Sequence, residues 1–99
     1  MMSWYILNMG NDPTTKYNYE KIYAEPTCYG TDSICAIRAF DDGSNYPMIT
    51  EQLKFEMISA LWNNTETPNV RLHYSWNDQQ SVSIICENYL FNKLNPVSI

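Results

Sequence analysis

Residues 28–50, CYGTDSICAIRAFDDGSNYPMIT, decide the fold of this chain. They contain two of the three cysteines, an apolar run over residues 34–40, and an Asp-Asp-Gly turn that leads towards a helix. The apolar run carries only one charged residue, Arg38, so it predicts a central strand that other elements cover. The glycine of the turn tolerates positive φ, which indicates a tight connection after that strand.

A helix is predicted from about residue 50 to residue 63. Thr50 is a candidate cap for its first turn, and Glu51 places a negative charge where the helix dipole favours one. One apolar face consists of Leu53, Met57, Ala60 and Leu61. A second apolar set, on nearly the opposite side, consists of Phe55, Ile58 and Trp62. A helix that is apolar on two sides needs two neighbours, or one neighbour and one partner protein.

Strand patterns flank this centre on both sides. Residues 4–9 are aromatic and β-branched, and residues 17–23 alternate with a polar content that is typical of an edge strand. Residues 70–76 alternate more regularly, and residues 82–91 are expected to return as their antiparallel partner. The side chains expected to point inward from the first of these two strands are Val70, Leu72, Tyr74 and Trp76.

The order of strands, one helix and more strands predicts an α+β domain. Its expected architecture is a small antiparallel β-sheet with one α-helix, at about 50–63, packed on one face. Apolar residues make up 44% of the chain, which is enough for one core. Residues 1–99 are therefore predicted to form a single domain, whose tail after about residue 93 is expected to fray.

The charge of the chain narrows the classes of partner. A net charge of −5 argues against nucleic acid, because nucleic-acid binding depends on clustered lysines and arginines. Arg38, Arg71 and the four lysines are instead spread along the sequence. No apolar run approaches the ~20 residues that a membrane-spanning helix needs, so no transmembrane segment is predicted. The acidity is interpreted as a source of solubility, with a basic partner as the sharper alternative.

The motifs predict neither an enzyme nor a cofactor. The sequence contains no P-loop, no glycine-rich dinucleotide motif and no G-x-S-x-G elbow. The three cysteines and the one histidine, at positions 28, 35, 73 and 86, lack the close cysteine pair of a zinc site, so no metal is expected. Asp41 and Asp42 are interpreted as solvated turn residues rather than as an acid–base pair.

The state of the cysteines indicates whether the protein resides in an oxidising or a reducing compartment. Six residues separate Cys28 from Cys35, and a loop of that size readily closes a disulfide. Two reduced thiols in a cytosolic protein remain the alternative. Cys86, on the inward face of its predicted strand, is interpreted as a small buried apolar residue. The N-terminal residues lack the basic start of a signal peptide, so either the protein is not exported or a signal is missing from this sequence.

Several of these features resemble small uncharacterised exported proteins of Bacteroidota. The likeness spans roughly residues 4–72 and centres on the two cysteines with their C-x6-C-A-I pattern. The residues that carry it are Trp4, Tyr5, Tyr19, Pro26, Thr27, Cys28, Gly30, Ile34, Cys35, Ala36, Ile37, Ala39, Gly43, Pro47, Ile49, Asn69, Val70 and Leu72. Residues 82–99 depart from the pattern. The resemblance implies export to the periplasm, cell surface or medium and a bridge between the two cysteines, and it implies no activity.

Two hypotheses of function follow. The first is a non-enzymatic exported domain that binds a protein, or serves as an accessory structural subunit at the cell surface. The residues expected at its contact are Tyr17, Tyr19, Tyr23, Phe55 and Trp62, because aromatic side chains are common interface anchors. The second is a cytosolic acidic inhibitor or immunity-type protein that binds a basic enzyme cleft. The identity of the partner stays open, and so does a homo-oligomer.

Overall fold

The structure, a computed structural model, describes residues 1–74. Within this range the chain forms the strands β1 (Met2–Leu7), β2 (Tyr19–Ile22), β3 (Ser33–Phe40) and β4 (Val70–His73), and the helix α1 (Glu51–Asn63). A short 3-10 turn, Lys16–Asn18, precedes β2. The predictions of a return strand over residues 82–91, of a frayed tail after residue 93 and of a buried Cys86 lie outside the described residues.

The four strands form one antiparallel sheet in the order β2-β1-β3-β4. The predicted small α+β fold is therefore confirmed. β3 has a partner on each side, as its apolar run predicts, and β2 lies at an edge, as its polar content predicts. The first strand lies two residues nearer the N-terminus than predicted, because Asn8 already begins the turn and its N–H donates to the Asn18 carbonyl.

A β-bulge at Cys35 explains why β3 is apolar without alternation. Ile34 pairs with Leu72 and Ala36 with Arg71, so Cys35 is an extra residue between the two pairs. The extra residue brings Ile34 and Ile37 into the same core, although they are three positions apart. A regular strand would send one of them to the opposite face.

The helix has the boundaries that its sequence predicts. The Thr50 hydroxyl oxygen accepts a hydrogen bond from the Leu53 N–H at 3.1 Å, which satisfies one of the free donors of the first turn. Asn64 ends the helix in the left-handed conformation, with φ of 53°, and its N–H donates to the Leu61 carbonyl. The helix packs over β3 and β4.

The core lies between the helix and one face of the sheet. Its buried apolar members are Tyr5, Tyr19, Ile34, Ile37, Ala39, Leu53, Met57, Ala60, Leu61, Val70 and Leu72. The inward positions Val70 and Leu72 are confirmed as fully buried. The inward prediction for Tyr74 is wrong, because β4 ends at His73 and the Tyr74 ring is exposed beyond it.

Candidate functional site

Two large aromatic side chains stand on the side of α1 that faces away from the sheet. Phe55 is 58% exposed and Trp62 is 70% exposed, and we call this pair the aromatic face. They lie seven positions apart, so they fall on one side of the helix, about 10 Å apart along its axis. Met57, on the opposite side of the helix, is fully buried. The aromatic face therefore lies outside the core of the described residues.

The second apolar set of the helix is smaller than the sequence predicts. Ile58, predicted to share the outward side with Phe55 and Trp62, is only partly exposed and packs against the core. The core side of the helix is thus wide enough to include Ile58. A rigid helix that presents two aromatic anchors is one recurring form of protein recognition.

The three tyrosines predicted at the contact are placed differently from one another. Tyr17 and Tyr23 are exposed, just before and just after β2. Tyr19 is only 3% exposed, and its hydroxyl donates a hydrogen bond to the Pro13 carbonyl at 2.7 Å. Burial raises the pKa of Tyr19 well above its usual value. Its assignment to a partner-binding surface is therefore wrong, because its ring completes the core.

Tyr17 and Tyr23 belong to a different part of the molecule from the aromatic face. They flank the edge strand β2, whereas the helix packs over β3 and β4, towards the opposite edge of the sheet. Tyr17 meets Tyr46 edge to face, with ring centroids 5.0 Å apart, and the Lys16 ammonium lies 5.3 Å from the Tyr17 ring. The five predicted contact residues thus divide into one buried ring, one pair at β2 and one pair on α1.

Asp41 and Asp42 form an ion-paired corner rather than a solvated turn. One Asp41 oxygen accepts hydrogen bonds from the Tyr5 hydroxyl at 3.0 Å and from the Lys21 ammonium at 3.1 Å. Asp42 pairs with the Lys16 ammonium at 2.6 Å. The predicted turn is confirmed, because both carboxylates accept hydrogen bonds from N–H groups of residues 43–46. The prediction that the two side chains are solvated is wrong, because lysines from the segment around β2 pair with them.

The hydrogen bonds and ion pairs of this corner have a structural role. Its N–H donors, the Gly43 N–H at 2.6 Å first and the Lys21 ammonium next, lower the pKa of Asp41 to about 2. The Lys16 ammonium lowers the pKa of Asp42 in the same way. Burial, together with the hydrogen bond to Asp41, raises the pKa of Tyr5 to about 12. Tyr5, Asp41 and Asp42 are each stabilised in the charge state that they ordinarily have at pH 7, so none of these three is poised for proton transfer there.

The Cys28–Cys35 disulfide is present, with the two Cα atoms 6.3 Å apart. Its loop is held against the end of β4, where the Tyr74 N–H donates to the Tyr29 carbonyl at 2.8 Å. Gly30 makes this approach possible, since its φ is +113° and a Cβ atom there would lie 2.2 Å from the Tyr74 nitrogen. The bond is compatible with an oxidising compartment.

Two further properties concern residues 1–74 alone. Among them, no group of three or more His, Cys, Asp or Glu side chains is placed to hold a metal ion. No helix in this part of the chain is long and apolar enough to cross a membrane.

No family model, curated protein or solved structure matches the chain. The resemblance to exported proteins of Bacteroidota stays a prediction.

Proposed function

We propose that this protein is a small exported binding domain without catalytic activity, which recognises a partner protein through the aromatic face of α1. The observation that supports this most directly is the exposure of Phe55 and Trp62 on a helix that is otherwise well anchored. Large exposed aromatic rings cost solubility, and each buries about 150–250 Å² when covered. A partner that covers both rings would bury the apolar area that they expose.

The chemistry of the partner follows from the helix and from the charge of the chain. Two aromatic anchors on one side of a helix fit an apolar groove, in the manner of helix-in-groove recognition. The chain carries a net charge of −5, so a groove with a basic rim is favoured during encounter. The proposed partner is therefore a protein with an apolar groove bordered by lysines or arginines.

Export is the second part of the proposal, and the disulfide supports it. A bond between Cys28 and Cys35 persists in an oxidising compartment, whereas cytosolic thiols are kept reduced. A thiol titration of unfolded protein, purified from its native host with alkylation at lysis, tests this. We expect one free thiol per chain. Three free thiols would instead favour the cytosolic alternative.

The binding proposal is tested by capture from the native host with a matched pair of double variants. Phe55→Ala with Trp62→Ala removes the aromatic face, and Met9→Ala with Tyr29→Ala removes two other exposed side chains away from α1. We expect a protein that the parent and the second variant retain and that the first variant loses. Equal retention by both variants would contradict the proposal, and so would equal loss.

A cytosolic acidic inhibitor is the second candidate function, and the net charge of −5 favours it. Such a protein is steered to a basic cleft by charge, so its binding weakens steeply as salt rises. Anchoring by the aromatic face depends on apolar burial and is far less sensitive to salt. Measuring the affinity for the captured partner at low and high salt separates the two functions.

A further inference from the structure

The sheet face opposite α1 carries both arginines of the chain. Trp4 on β1 lies across from Arg38 on β3, and Arg71 follows on the neighbouring strand β4. The Arg71 guanidinium carbon lies 4.8 Å from the centre of the Trp4 ring, and that of Arg38 lies 5.8 Å from it. Both cations therefore stack on one aromatic ring. We call Trp4, Arg38 and Arg71 the arginine face.

The two guanidinium groups are held in place by hydrogen bonds that use only some of their donors. The Arg38 Nε–H donates to the Asn69 side-chain oxygen at 3.1 Å. One terminal nitrogen of Arg71 donates to the Thr67 carbonyl at 2.6 Å. A guanidinium has five N–H donors, so each arginine keeps donors for another acceptor. Fixing the groups in advance reduces the entropy that binding would cost.

Two of the lysines are paired away from the arginine face. Lys16 and Lys21 are paired with the two aspartates of the corner, close to the opposite face of the sheet. Glu25, which is mostly exposed, stands 3.8 Å from Arg71. A pair at that distance and exposure is weak. Within residues 1–74 it is the one salt bridge that either arginine makes.

An apolar cavity of about 200 Å³ opens beside Arg38, between the end of β3 and the first half of α1, with Gln52 and Leu53 of the helix in its wall. Met2 and Phe40, both exposed, form part of its wall together with Met48. Glu56 also lines it, but its carboxylate accepts hydrogen bonds from the Thr67 hydroxyl, the Asn69 N–H and the Asn69 amide. The site therefore combines free guanidinium donors with an apolar recess of about the size of one aliphatic side chain.

We propose that the arginine face is a second docking surface, which binds an acidic, extended segment of a partner protein. Carboxylates of the segment pair with Arg38 and Arg71, and a neighbouring aliphatic side chain enters the cavity beside Met2 and Phe40. Arginine suits this role because its planar group binds a carboxylate through two parallel hydrogen bonds. Arg38 and Arg71 do not belong to the aromatic face, so this is a second site for a protein.

The test uses the full chain and two ten-residue peptides, one alternating Glu with Leu and one alternating Glu with Ser. NMR titration at low salt follows the indole N–H of Trp4 and the Nε–H of Arg38. We expect the Glu-Leu peptide to shift these signals and to bind at least about fivefold more tightly than the Glu-Ser peptide. Arg38→Gln should weaken binding by about tenfold or more.

Lys54→Gln is the matched control, because it removes one positive charge from α1 at a residue outside the wall of the cavity. It should change the affinity by less than about twofold. The proposal fails if neither peptide binds, if both bind equally, or if Arg38→Gln and Lys54→Gln weaken binding alike. It also fails if NOEs in the free chain join Trp4 to residues 75–99, since the chain itself would then cover this face. Phe55→Ala with Trp62→Ala should leave peptide binding intact, which separates this test from that of the proposed function.

Discussion

The two sides of α1 differ sharply, although both are apolar in sequence. Met57 on the inner side is fully buried, whereas Trp62 on the outer side is 70% exposed. The inner side meets β3 and β4, and Ile58 joins it at its margin. The outer aromatic pair is exposed and does not belong to the core of the described residues. The difference separates apolar residues that form the core from apolar residues that are exposed outside it.

The sheet shows the same division. Its inner face holds fully buried side chains such as Tyr5 and Ile37, which complete the core. Its outer face holds Trp4 with the two stacked arginines and leaves Phe40 exposed. The molecule therefore has one apolar layer that is used internally and two surfaces, on opposite sides, that combine apolar area with polar or charged groups.

The largest effect should come from the inner side of α1. Met57→Ala removes most of a fully buried side chain, so we expect the free energy of unfolding to fall by about 2–5 kcal/mol. Urea denaturation followed by circular dichroism measures this loss. Ser59→Ala, a small change on the half-exposed side of the same helix, is the control and should change it by less than about 0.5 kcal/mol. Equal losses for both variants would remove the distinction between the two sides.

The next effect concerns the Cys28–Cys35 disulfide, whose loop is held against the end of β4. Cys28→Ser with Cys35→Ser opens the loop, and the gain in chain entropy of the unfolded state should lower the free energy of unfolding by about 2–3 kcal/mol. Denaturation of the parent with and without reductant gives the same comparison. The reduced parent should match the variant. A variant as stable as the oxidised parent would mean that the loop is held by other contacts.

A smaller, pH-dependent effect is expected from the corner at Asp41. Its pKa is about 2 in the folded protein, below its unfolded value, so the stabilisation is complete above about pH 4 and is lost as the pH falls towards 2. Asp41→Asn should be less stable than the parent at pH 7 and should show a flatter decline between pH 4 and pH 2. Denaturation across this range measures the slopes. Asp32→Asn, outside the corner, should keep the slope of the parent.

The sequence allows the elements to be predicted better than their long-range partners. The antiparallel sheet and the helix from Thr50 to about residue 63 follow from local patterns of apolar residues, caps and turns. The corner does not, since Lys21 and Asp41 are 20 positions apart and nothing local indicates that they meet. Tyr19 was misassigned for a related reason, because its partner, the Pro13 carbonyl, is set by the path of a loop.

The two candidate surfaces also differ in how far local sequence patterns predict them. The exposure of Phe55 and Trp62 could be anticipated, because helical periodicity separates them from the core residues. The arginine face could not, because Arg38 and Arg71 are distant in sequence and meet only through the order of β1, β3 and β4. Sheet topology, rather than composition, brings the two arginines to one ring.

The most direct test of the central claim is the urea-induced unfolding of the Phe55→Ala, Trp62→Ala double variant. If the aromatic face is reserved for a partner, the free energy of unfolding should stay within about 1 kcal/mol of the parent, while capture of the partner is lost. A loss of several kcal/mol, comparable with that of Met57→Ala, would show instead that the two rings belong to the core, and the proposed binding surface would have to be abandoned.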